Sequence, residues 1–210
     1  MKKRPRLDLM SLTLILIGII IFPLSCKKDE LSPEIEKGAV TDVDGNVYDA
    51  VTLGSQKWIT TNLKVTKYQN GDPILSGLSN TEWENTVSGA YATYNNSDAN
   101  NTTYGKLYNW YSVSDSRKLC PAGWHVPTDG EWMTLINYLG GENVAGGKLK
   151  ETGTSHWNSP NEATNESSFS ALPGGQRNWY GTYATIGDYG YWWTSTVGFA
   201  GGSWEMADSE

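Results

Sequence analysis

The chain has 210 residues and a formal net charge of -7, and it combines 10 Trp, 12 Tyr and 23 Gly with only 3 Phe. This length suits one domain with a sizeable core, and the aromatic and glycine content favours tight turns over long helices. Residues 1–25 account for a charge of +3, which leaves -10 for the remainder. Because so acidic a surface repels phosphates, we expect no nucleic-acid partner.

The first 25 residues have the pattern of a bacterial export signal. A basic start precedes an apolar run over residues 9–24, which is shorter than the ~20 residues that a membrane-spanning helix needs. Cys26 follows this run and resembles the diacylated cysteine of bacterial lipoproteins, although Pro23 stands where leucine is usual. We expect Cys26 to be the lipid-attachment residue. The alternative is an uncleaved anchor in which Cys26 is buried.

The export pattern divides the chain into three parts. Residues 1–25 are the predicted signal peptide, residues 26–38 a polar lipidated tether, and residues 39–210 the domain. We expect the chain to bind the membrane through its acyl chains alone. Lys27, and not aspartate, follows the cysteine, so resemblance to Gram-negative sorting signals predicts the outer membrane or cell surface.

The domain is expected to open with antiparallel strands. Asp44-Gly45 and Gly54-Ser55 separate apolar runs, which is a hairpin signal. Asp42, Asp44 and Asn46 alternate like the start of an EF-hand loop, but Leu53 occupies the twelfth position, where that loop needs glutamate. We therefore interpret these acidic residues as part of a turn.

The next two segments differ in composition. Residues 69–103 are rich in Asn, Ser, Gly and Thr, which predicts an ordered loop region at best. Residues 104–113 are a dense aromatic run, for which we prefer a buried strand or short helix. A sugar-binding platform is the alternative for that run.

The strongest helix signal begins at Thr128. Thr128 and Glu131 have the spacing of a capping box, in which each side chain accepts a hydrogen bond from the other residue's amide. Apolar residues then repeat at helical spacing until Gly140-Gly141 ends the pattern; they are Trp132, Leu135, Ile136 and Leu139. We expect one amphipathic helix with this face in the core.

Several segments carry a family resemblance, and they are residues 40–64, 104–111, 119–132, 145–150, 169–177 and 189–195. Together they resemble the Fibrobacter succinogenes major paralogous domain, which is common in bacterial surface lipoproteins and whose function is poorly understood. Residues 124–132 also resemble a segment of formylglycine-generating enzymes, whose fold is an elaborated C-type-lectin-like one. The resemblance implies an α+β, C-type-lectin-like fold with short twisted antiparallel strands, one or two helices and long loops.

The resemblance also raises an expectation about the end of the chain. Members of the family typically continue through further strands to a closing segment that contains a cysteine. The domain is therefore expected to lack its C-terminal strands, which leaves residues 191–196 without the strands that follow them in the family. Cys120 is then a disulfide candidate with a missing partner.

The candidate ligand-binding residues lie in two regions rich in aromatic and polar side chains. Trp157 and Asn158 begin a long loop, and Arg177, Trp179 and Tyr180 follow a sharp turn at residues 173–175. Trp and Tyr rings stack on the apolar faces of sugars, whereas amide groups orient sugar hydroxyls. The calcium-binding triplets of C-type lectins are absent from the sequence, so we predict neither a metal nor another cofactor.

The sequence predicts no catalytic residues. His125 and His156 are its only histidines, no hydrolase or metalloprotease motif accompanies them, and His125 is expected to be half-buried and structural. A formylglycine-type oxidase needs two active-site cysteines, and only Cys120 is available. We predict a surface lipoprotein that carries a non-catalytic binding or adhesion module, with a glycan as the candidate ligand. The alternatives are an envelope-assembly domain with protein partners and, third, a formylglycine-generating-type enzyme.

Overall fold

The computed structural model describes residues 33–197 and 203–207, which form an α+β fold of short elements and long loops. This confirms the predicted α+β class, whereas the C-type-lectin-like fold stays a prediction. The strands are β1 (Ile35–Thr41), β2 (Val47–Leu53), β3 (Gln56–Ile59), β4 (Tyr91–Ala92), β5 (Leu107–Tyr108), β6 (Gln176–Arg177), β7 (Tyr183–Ala184), β8 (Tyr189–Trp193) and β9 (Ser203–Ala207). The helices are α1 (Asn80–Asn85), α2 (Asp98–Tyr104), α3 (Trp110–Val113), α4 (Asp129–Tyr138) and α5 (Glu142–Leu149). The predicted signal peptide and Cys26 lie outside the described residues.

The first three strands form an antiparallel sheet in sequence order. Asp42 organises the β1–β2 turn, because its carboxylate accepts hydrogen bonds from the amides of Asp44 and Asn46 and, at 2.6 Å, from the Tyr48 hydroxyl. The turn interpretation of these acidic residues is therefore confirmed. β1 begins at Ile35, so the predicted boundary between tether and domain at residue 38 falls inside this strand.

Residues 69–103 contain more regular structure than their composition predicts. α1 has a capping box of its own, in which the Glu82 amide donates to Ser79 Oγ and the Ser79 amide donates to the Glu82 carboxylate at 2.7 Å. Its six residues bury only Trp83, so the sequence contains no apolar repeat that could signal a helix. The expectation of a loop throughout this region is wrong for that reason.

The predicted amphipathic helix is α4. Thr128 is its N-cap and forms the expected capping box with Glu131, and the four predicted apolar residues are all buried. They pack in the largest hydrophobic cluster of the described residues together with Val51, Leu53 and Trp157. This cluster joins the first sheet, α4, α5 and β9 around one core.

The last strands form two hairpin-like pairs. β6 and β7 pair through Gln176–Ala184 and Arg177–Tyr183, so residues 178–182 form the connecting turn. β8 pairs with β9 along its full length, from Tyr189–Ala207 to Trp193–Ser203. The expectation that residues 191–196 lack a neighbouring strand is therefore wrong for residues 191–193. Within the described ranges, no helix has the length and apolar character needed to cross a bilayer.

Candidate functional site

The tip of the β6–β7 hairpin presents two large aromatic side chains to solvent. Trp179 is 64% exposed and Tyr180 is 52% exposed, although most other aromatic rings of the described chain are buried or half-buried. The two rings contact each other with centroids 3.4 Å apart. They form one continuous surface, which we call the aromatic tip. Trp179 and Tyr180 are two of the ligand-binding candidates that the sequence predicts.

The turn beneath the aromatic tip is held by its own backbone. The Asn178 amide donates to Thr182 O, and the Gly181 amide donates to Asn178 O, each at 2.9 Å. Gly181 has a φ of +82°, and a Cβ at this position would lie 2.6 Å from the Cα of Asn80. The turn therefore needs glycine for both its backbone conformation and its close contact with the start of α1.

Arg177 fastens the hairpin to the segment before α1. Its guanidinium donates to Gly181 O at 2.9 Å and to Leu78 O at 2.8 Å, and it lies between the rings of Trp83 and Tyr183, 4.4 and 5.2 Å from their centroids. Desolvation lowers the pKa of Arg177, but a guanidinium remains charged at neutral pH. Through these contacts Arg177 holds the hairpin that carries the aromatic tip. Its role as a ligand contact stays a prediction.

The other two candidates lie elsewhere. Trp157 is 1% exposed, its indole N–H donates to Ala171 O at 3.0 Å, and it belongs to the core. The prediction that Trp157 contacts a ligand is therefore wrong, because the sequence does not distinguish a core tryptophan from an exposed one. Asn158 is exposed, but its side-chain amide donates to Asp188 at 2.6 Å, and its backbone amide donates to Gly187 O. Asn158 therefore links its own loop to residues 187–188 and does not belong to the aromatic tip.

A cleft of about 710 Å³ forms a second candidate site, which the sequence did not predict. Its walls come from the outer side of β3, the segment before and within β5, the loop before α4, and β8. Tryptophan side chains contribute to these walls, among them Trp58, Trp132, Trp192 and Trp193. Because these segments are distant in sequence, no local pattern could have identified the cleft.

One indole in this cleft differs from its neighbours. The indole N–H groups of Trp132, Trp192 and Trp193 donate to Trp193 O, Asn62 Oδ1 and Tyr108 O at 3.3, 3.2 and 2.9 Å. Trp58 is 8% exposed, and among the described residues its N–H has no acceptor. A buried unpaired donor of this kind is uncommon and costs free energy.

The two histidines each contact a carboxylate, and Cys120 is buried. His125 Nε2 lies 2.8 Å from the carboxylate of Glu131, but its side chain is 67% exposed, so the expectation that it is half-buried is wrong. His156 lies 2.7 Å from Glu151. Cys120 is buried and unpaired in the described chain, and desolvation raises the pKa of its thiol to about 12. Such a thiol is a poor nucleophile at neutral pH.

Comparison with known protein families gives a match that covers most of the chain. Residues 51–208 match the model of the Fibrobacter succinogenes major domain. Neither a curated protein nor a solved structure matches the chain. The matched region contains both the aromatic tip and nearly all of the cleft, and within the described ranges no group of three or more His, Cys, Asp or Glu side chains is arranged to hold a metal ion.

Proposed function

This chain belongs to the Fibrobacter succinogenes major domain family, and from that premise we propose that it is a lipid-anchored surface protein whose domain binds glycans without catalysis. The observation that supports the glycan ligand is the exposure of Trp179 and Tyr180 on a hairpin that Arg177 fastens in place. Contiguous exposed apolar surface is a feature of ligand-binding and partner-binding sites. The aromatic tip is the proposed binding surface.

The chemistry of the aromatic tip suits a sugar. A pyranose has one face of C–H groups that stacks on an aromatic ring, while its hydroxyls need polar partners around that ring. Asn80 and Thr182 are exposed beside the tip and offer amide and hydroxyl groups. A sugar face that covers about 60 Å² of ring would contribute ~1.5 kcal/mol at ~25 cal/mol per Å², roughly tenfold in affinity.

The held turn also favours binding by reducing its entropic cost. Side chains that must be ordered on binding each cost ~0.5–1.5 kcal/mol. Trp179 and Tyr180 already pack on each other, and the turn that carries them is closed by hydrogen bonds. A tip ordered in this way retains more of the stacking energy as affinity.

A glycan array probed with the full chain tests this proposal. We expect a glycan signal that falls at least tenfold in Trp179→Ala and persists in Tyr111→Ala, a control at another exposed aromatic residue. An unchanged signal in Trp179→Ala would refute the aromatic tip as the binding surface. No glycan signal, together with co-purification of envelope proteins, would favour the envelope-assembly alternative.

The lipid anchor is a separate part of the proposal, supported by the basic start, the apolar run and Ser25-Cys26. Cells grown with labelled palmitate should incorporate the label into the wild-type chain, which should fractionate with the outer membrane. The Cys26→Ser chain should lose both properties. A Cys26→Ser chain that still takes up label and stays in the membrane fraction would defeat the assignment.

A further inference from the structure

The outer edge of β3 presents unpaired backbone groups. In an antiparallel pair, alternate residues direct their N–H and C=O groups toward the partner strand and the residues between them direct theirs away. The Thr60 amide donates to Asp49 O at 3.0 Å on the β2 side, so by alternation Lys57 and Ile59 face away from β2. Within the described chain, their backbone groups have no hydrogen-bond partner on that outer side.

The outer edge of β8, in contrast, is largely occupied. The Tyr189 amide donates to Thr185 O, and Tyr189 O accepts from the Gly175 amide, at 3.0 and 2.9 Å. Tyr189 therefore faces away from β9, and by alternation so do Tyr191 and Trp193. Gly175 lies along this side in a parallel bridge with Gly190, which directs the Tyr191 amide toward Gly175 O, and Trp193 O accepts the Trp132 indole N–H.

Both edges line the same cleft, and only side chains connect them. Trp132 packs on Trp58 with ring centroids 4.7 Å apart and donates to Trp193 O at 3.3 Å, while Trp192 donates to Asn62. In the described ranges no backbone hydrogen bond joins β3 to β8. An exposed strand edge beside apolar walls is the geometry that accepts an additional strand.

The charges around the cleft distinguish between possible strands. Lys64 and Lys106 line it and hydrogen-bond to Thr102 O and Asn101 Oδ1 rather than to a carboxylate. Glu131, the one acidic residue of the cleft walls, is already paired with His125. The cleft walls therefore contain more lysines than carboxylates, which favours an acidic partner.

We propose that this cleft binds an extended peptide segment of a partner protein, which adds a strand along β3 and carries an acidic residue toward Lys64 and Lys106. The outer edge of β3 would supply main-chain hydrogen bonds, and the tryptophan walls would accept every second side chain. β3 has four residues, and at ~3.3 Å per residue the matching peptide has about four to six. This site is separate from the aromatic tip and does not depend on the glycan proposal.

Selection from a display library of random seven-residue peptides, with the full chain as bait, tests the inference. We expect enriched peptides with apolar residues at alternate positions and at least one acidic residue. The synthetic peptide should slow hydrogen exchange of the Lys57 and Ile59 amides on the outer edge of β3. Methylation of its alternate backbone nitrogens should weaken binding at least tenfold, because this change removes the main-chain donors.

Two protein variants provide a further test of the peptide site. Lys64→Gln should weaken binding of the acidic peptide at least threefold, whereas Trp179→Ala should leave peptide binding unchanged. Because Trp179→Ala affects only the proposed glycan site, the two proposals can fail independently. The inference is overturned if no peptide is enriched, or if the N-methylated peptide binds equally well. It is also overturned if the edge amides are protected by oligosaccharides or by a second copy of the chain instead of by the peptide.

Discussion

Replacing Arg177 with methionine should destabilise the domain and release the aromatic tip. Met preserves the length of the side chain but removes the hydrogen bonds to Gly181 O and Leu78 O, at 2.9 and 2.8 Å. Hydrogen bonds from a charged donor contribute ~1.5–3 kcal/mol each, and a cation over an aromatic ring adds ~0.5–1 kcal/mol. Because water can reach part of the exposed hairpin and replace some of this energy, we expect a loss of about 2–4 kcal/mol in the free energy of unfolding.

Urea denaturation measures this loss, and Arg117→Met is the matched control. Arg117 also lies over an aromatic ring, that of Tyr68, but it donates to the surface carboxylates of Asp115 and Asp72. Exposed ion pairs of this kind contribute little, so Arg117→Met should cause a clearly smaller loss. Equal losses in the two variants would refute the role of Arg177 as the residue that fastens the hairpin.

Three further predictions concern a cap, a thiol and a carboxylate. Thr128→Ala should lower the free energy of unfolding by about 1 kcal/mol in urea melts, because it removes the α4 N-cap bond to the Glu131 amide. In a Cys26→Ser background, Cys120 should react with a thiol reagent at pH 8 far more slowly in the folded chain than in urea, because burial raises its pKa to about 12; equal rates would contradict the buried position. Hydrogen bonding to Arg117 lowers the pKa of Asp115 to about 2, so its contribution is present above about pH 4 and is lost as the pH falls toward 2. Urea midpoints should therefore fall less between pH 4 and pH 2 in Arg117→Met than in the wild-type chain.

The parts of the fold that were predictable are those set by neighbouring residues. The α4 capping box needs only Thr128 and Glu131, three positions apart, and the two hairpins of the first sheet need only their turn residues. Such local rules act whatever surrounds them. α1 also has a capping box, but it is too short for an apolar repeat to identify it.

The candidate site was less predictable because its residues act across long distances in the sequence. Arg177 is close to Trp179 and Tyr180 in the sequence, but its acceptor Leu78 O lies 99 residues away, so no local pattern could predict its structural role. A tryptophan suits a core or a surface equally well by residue type. Only the fold determines that Trp157 is 1% exposed and Trp179 is 64% exposed. The cleft depends on β3 and β8 lying side by side, which no sequence pattern specifies.

The most direct test of the proposed function follows the ten indole N–H signals of the ¹⁵N-labelled full chain while the strongest glycan from the array is added. The signal of Trp179 should shift with glycan concentration, and the signals of Trp58, Trp157 and Trp192, which lie in the core or the cleft, should stay in place. A titration in which Trp58 and Trp192 shift and Trp179 does not would contradict the aromatic tip as the glycan-binding surface.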